Sequence, residues 1–188
     1  MLLPALSRGS LLAAMLTSSL IEPPARCAGN DVVLDANRFL AESEAARLDR
    51  ILRRLEADTG YKVRVLSRSR GTDEWTRDRS SIRCALGVAS SSGLDPDAVI
   101  IIADRGLQGA LQAGSSFITY DIGERVRFAL PDIFWTRLQR EYGKATFVDK
   151  RGEASAIVTT CEVILSCLRL DPNEDVCTDV PPAASSFF

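Results

Sequence analysis

The stretch "DPDAVIIIADRG", residues 95–106, decides the fold. Four branched aliphatics, Val99 to Ile102, run without a polar break and stop at Asp104-Arg105-Gly106. A short apolar run bounded by turn-forming residues reads as a strand buried on both faces. Such strands belong to sheets covered by helices on both sides and joined by crossover connections.

The residues upstream supply the crossover. "YKVRVLS" (61–67) alternates, with Val63 and Val65 on one face and Lys62 and Arg64 on the other, which predicts a strand with one face partly exposed. A polar loop, "RSRGTDEWTRDR" (68–79), is expected next, and then a helix near residues 80–89 with Ile82, Ala85, Leu86 and Ala89 inward. Strand, helix and buried strand make one right-handed unit with parallel strands.

Further upstream, "ESEAARLDRILRRLEADTG" places Leu48, Ile51, Leu52 and Leu55 at i, i+3, i+4 and i+7, one face of a helix. Ser43 is the expected N-cap and Gly60 the expected C′ residue. Downstream, "RGLQGALQAGSS" (105–116) reads as turns and a short hairpin arm. "FITYDIGERVRFAL" (117–130) reads as extended, with a bend at Gly123. Pro131 is expected at the first position of a helix that Gly143 closes. "ATFVDKRGE" reads as a connector, and "EASAIVTTCEVILSCLRL" as the last helix. The expected class is therefore α/β: a single-domain sandwich with a mixed, mostly parallel sheet flanked by helices.

Residues 1–28 have the pattern of a cleaved export signal. Arg8 precedes the apolar run "LLAAMLTSSLI", which is too short to cross a bilayer, and "ARCA" places the expected cleavage between Ala28 and Gly29. The expected domain then occupies residues 29–172, with an irregular tail over 173–188, and it does not span a membrane after cleavage.

Composition removes whole classes of chemistry. There is no histidine, so Ser-His-Asp and Cys-His catalytic groups cannot be assembled. The five cysteines (27, 84, 161, 167 and 177) contain no Cys-x-x-Cys pair. A formal charge of −2 with dispersed basic residues argues against nucleic acid as a partner.

No residue is assigned a catalytic role, and no metal is assigned. Asp104, at the carboxyl end of the buried strand, has two readings. It is a ligand-edge carboxylate, which Asp35 and Asp121 join to hold a hard cation such as Ca²⁺, or it is the first residue of a turn with Gly106. Trp75 is the candidate partner contact. Cys84 and Cys161, on apolar helix faces, read as buried thiols. Cys167 lies about 120° round the helix from Cys161. It can therefore meet Cys177 in a disulfide once Pro172 turns the chain back; Cys161–Cys177 is the rival pairing.

Several stretches together resemble a known family. "LEADTGYKVRVLS", "DAVIIIADRG", "FALPDIFWTRLQREYGK" and "ILSCLR" followed by a further cysteine occur in an order similar to that of TPM-domain proteins. The likeness is greatest to the fifteen-kilodalton class of small plant thylakoid lumenal proteins. It covers residues 33–178 and implies an α/β sandwich and a home in the chloroplast thylakoid lumen. It also implies an accessory role in binding or assisting a photosynthetic membrane complex. For some members the family implies acid phosphatase activity, and for others calcium binding. Where many members carry paired aspartates ahead of the first helix, this chain has Asp35-Ala36-Asn37.

Overall fold

The computed structural model describes residues 29–68, 72–106, 115–170, 177 and 180–181, with 72–78 described by their backbone. The buried run forms β5 (Ala98–Asp104). It pairs in parallel with β2 (Lys62–Arg68) and antiparallel with β6 (Ile118–Ile122). A short strand, β1 (Val33–Asp35), pairs in parallel with the other side of β2. The sheet order is thus β1-β2-β5-β6, mixed and mostly parallel as expected.

Helices cover both faces. Along β5 the side chains alternate strictly: Val99, Ile101 and Ala103 enter one apolar cluster, and Ala98, Ile100 and Ile102 the other. The larger cluster is closed by α1 (Glu42–Thr59), α4 (Asp132–Tyr142) and α6 (Glu153–Leu168) through Leu48, Leu52, Phe134, Leu138, Ile157 and Ile164. The smaller is closed by Leu86 and Val88, which follow α2 (Thr72–Ala85). A two-residue hairpin, β3 (Ala89–Ser90) with β4 (Gly93–Leu94), then returns the chain to β5.

The α1 helix ends at Gly60, whose φ of 82° is the left-handed conformation that a side chain disfavours. Its start differs from expectation. Ala41, not Ser43, is the N-cap, and Glu44 accepts the backbone N–H of Ala41. This is half of a capping box, because alanine has no acceptor to return.

Five further expectations are corrected. The polar stretch after β2 is not a loop, because α2 begins at Thr72. The second face of β2 is not exposed: Arg64 is 1% accessible. Its guanidinium donates to the carbonyls of Leu86 and Val63 and to Glu56 Oε2 at 2.8 Å, which makes the burial tolerable. The extended reading of residues 117–130 holds only to Ile122, and α3 (Glu124–Ala129) follows. Its first N–H groups, from Arg125 and Val126, donate to the Pro96 carbonyl, and Gly123 fits only because a side chain there would strike Pro96. The connector after α4 is itself a short helix, α5 (Ala145–Arg151). Pro131 stands at the N-cap, one place before its expected position.

Cys167 and Cys177 are joined by a disulfide with Cα atoms 5.4 Å apart, as expected. Tyr142 secures the same returning chain by donating to the Pro181 carbonyl at 2.7 Å. Cys161 is a fully buried free thiol, also as expected. Cys84 is not a free thiol; it is disulfide-bonded. Ala28 and most of the tail lie outside the described residues.

Candidate functional site

The carboxyl edge of the parallel strands carries Asp35 and Asp104, and both are engaged. The Asp35 carboxylate accepts the backbone N–H groups of Phe39 (3.1 Å) and Leu40 (2.8 Å) and the Ser67 hydroxyl. It thereby shapes the turn that leads into α1. Asp104 Oδ1 accepts the N–H of Gly106 at 2.7 Å, a local Asx turn, and Oδ2 lies 3.0 Å from Arg68 Nε. The next residue, Arg105, pairs with Glu153 at 2.7 Å, tying the strand end to the start of α6.

The strand pleat separates the three candidate ligands. Asp35 is level with Ser67, and Ser67 with Ala103, so Asp35 belongs to the α1 side of the sheet. Asp104 is level with Arg68 and follows Ile102 by two, so it belongs to the α2 side. Asp121 is level with Ile100 and accepts two hydrogen bonds from Arg83 of α2, at 2.9 and 2.7 Å. It therefore stands four residues, about 13 Å, down the strand from Asp104. The three carboxylates do not converge. Among the described residues no group of three or more acidic, cysteine or histidine side chains is placed to hold a metal.

The buried titratable groups are likewise occupied with packing. Tyr120 lies beneath Trp135, with ring centroids 5.0 Å apart. Burial, and then the neighbouring Cys161, push its phenol well above the usual range. Burial, and then the charge of Glu162, do the same to the Cys161 thiol. Both groups stay protonated at neutral pH and offer no nucleophile.

The aromatic residues divide sharply. Phe134 and Trp135 are buried, and Trp135 donates its indole N–H to the Leu130 carbonyl at 2.9 Å. Phe128 is 82% exposed and Ile133 is 51% exposed. They flank the corner between α3 and α4. An ion pair from Arg127 to Asp132 (2.8 Å) closes that corner, and Arg125 pairs with Asp97 at 2.6 Å beside it. Two exposed apolar side chains thus stand beside two ion pairs at this corner. Trp75, the contact chosen from sequence, has its side chain outside the described residues. Phe128 was missed because an extended reading places Val126, Phe128 and Leu130 on one face. In a helix Val126 and Leu130 share the buried face and Phe128 turns outward.

The chain is similar to the thylakoid lumenal 15.0 kDa protein 2, chloroplastic, of Arabidopsis thaliana, at 24% identity over 148 residues and 79% of this chain. It spans 59% of that relative's length. The likeness to a small thylakoid lumenal protein, and with it the thylakoid-lumen location, agrees with what the sequence motifs implied. The fold matches the N-terminal domain of a protein from P. gingivalis solved by solution NMR. There the TM-score is 0.58 and the identity 13%, over 78% of this chain and 87% of that one. No family model matches the chain. Among the described residues no helix is long and apolar enough to cross a membrane.

Proposed function

We propose that this protein is a TPM-type accessory factor of the thylakoid lumen that binds and assists a photosynthetic membrane complex, docking through the α3–α4 corner. Similarity to a thylakoid lumenal protein supports the location. The observation that carries the docking role is Phe128, a large aromatic left 82% exposed while its sequence neighbours Phe134 and Trp135 are buried. Aromatic anchors surrounded by polar rims dominate the energy of protein interfaces. The engagement of Asp35, Asp104 and Asp121 by backbone N–H groups and arginines supports a structural use of the carboxylates over a hydrolytic one.

The test is co-sedimentation with salt-washed thylakoid membranes. The wild-type chain is expected to bind, and Phe128→Ser/Ile133→Ser to bind roughly tenfold more weakly with its fold intact. Equal binding of the two chains would remove the docking corner. Turnover of a model phosphomonoester that disappears in Asp104→Asn would replace the accessory role with a hydrolytic one.

A further inference from the structure

We infer that the surface met by the α3–α4 corner is acidic: a carboxylate-bearing segment of a membrane protein, received by an arginine-rich helix face around Phe128 and Ile133. The inference rests on the docking role proposed above and names the chemistry of the partner.

The α4 helix divides into two faces. Phe134, Trp135, Leu138 and Tyr142 are buried. Ile133, Thr136, Arg137 and Arg140 are exposed and fall at i, i+3, i+4 and i+7, a stripe about 100° wide on the opposite side of the helix. No carboxylate falls on that stripe. Asp132 and Glu141 flank it, and Asp132 is held by Arg127 at 2.8 Å. Lys144, also exposed, follows just past the end of the helix. Arg140 and Lys144 make no ion pair among the described residues.

The wider segment has the same sign. From Glu124 to Arg151 there are seven basic and four acidic residues, in a chain whose formal charge is −2. Helices α3 to α5 are thus a positive region on a negative molecule, and such a region draws a negative partner.

The type of side chain narrows the partner. Arg125, Arg127, Arg137 and Arg140 carry the charge at this corner, with Lys144 beside them. A planar guanidinium can take a carboxylate through two parallel hydrogen bonds. Arg125 and Arg127 already hold Asp97 and Asp132, at 2.6 and 2.8 Å, and both arginines stay more than half exposed. Ion pairs so open to water are weak, so a partner carboxylate replaces either at little cost. Arginine beside an aromatic anchor is the composition enriched at the energetic centres of protein interfaces. A lipid surface is the poorer match. Peripheral lipid binding grows with the apolar area inserted, and only two large apolar side chains protrude here.

The test is co-sedimentation of the full chain with inside-out thylakoid vesicles, whose lumenal face is outward. Wild-type binding is expected to weaken as salt rises. Arg140→Glu/Lys144→Glu should bind roughly tenfold more weakly at low salt, with its urea midpoint unchanged. Neutralising the vesicle carboxylates with a carbodiimide and an amine should remove wild-type binding, and vesicles of extracted thylakoid lipid should not bind the chain. The wild-type measurements decide if the variant loses stability. Salt-insensitive binding, binding that survives carboxylate neutralisation, strong binding to the lipid vesicles, or a stable charge-reversed chain that binds like wild type overturns the inference. In those cases a loss of binding in Phe128→Ser/Ile133→Ser leaves docking standing on apolar contact alone. Failure of the wild-type chain to bind any vesicle removes docking itself, and this inference with it.

Discussion

Asp95 shows how a carboxylate in this molecule is used. Burial pushes its carboxyl up, but a hydrogen bond from Lys62, the N–H of Asp97 and the charges of Lys62 and Arg125 outweigh that and hold it below the usual carboxylate range. A carboxylate with a depressed pKa stabilises the fold above its unfolded pKa, near 3.9. That stability disappears as the pH falls through the folded value. Asp95→Asn is therefore expected to cost about 1 kcal/mol at neutral pH. The difference from wild type should shrink as the pH drops below about 4. Urea denaturation across that range checks it, and a pH-independent difference would show that the charge is not what matters. Asp35 and Asp104, at the other end of the sheet, each shape a turn through hydrogen bonds from backbone N–H groups. The turn role of Asp104 was readable from the Asp-Arg-Gly order, because aspartate and glycine favour those positions on local grounds. Its pairing with Arg68 was not, because Lys62 and Arg64 pointed to an open face on that strand.

At the scale of elements, that face is where charge and burial had to be reconciled. The reading of β5 succeeded because a fully buried strand has no polar side to mislead. The reading of β2 failed on its second face because a buried arginine looks the same in sequence as an exposed one. Glu56, on α1, the Leu86 carbonyl, after α2, and the Val63 carbonyl make Arg64 acceptable there. Glu56→Ala is expected to destabilise the fold by about 2 kcal/mol, because it leaves a buried guanidinium short of its counter-charge. Adding Arg64→Met should restore a large part of the loss, since an apolar side chain needs no partner. Denaturation midpoints of the three chains decide; an additive loss in the double variant would contradict the coupling. The same blindness hid the start of α2, whose first turns, "TDEWTRDR", are polar and show little apolar period. It also hid α3, since "ERVRFAL" alternates as a strand would. Such segments take their structure from their neighbours, here from the Pro96 carbonyl that receives the first N–H groups of α3.

For the whole molecule, the two-sided sheet engages Asp35, Asp104 and Asp121 in turns and ion pairs and leaves Phe128 and Ile133 exposed at one corner. Helices α1, α4 and α6 on one side and α2 on the other consume the apolar surface of the sheet. Phe128 and Ile133 are left over on neither side. The architecture was legible from the order of one buried strand, one alternating strand and three apolar-faced helices. The exposed corner was not, since it depends on which way six residues of α3 are wound. The measurement that tests the central claim most directly is site-specific photo-crosslinking in isolated thylakoids. A photoreactive residue replaces Phe128 in one chain and the exposed Arg54 of α1 in another. The account predicts a discrete adduct with a photosynthetic membrane complex from position 128 and none from position 54. Adducts from position 54 alone, or none from either, would contradict it.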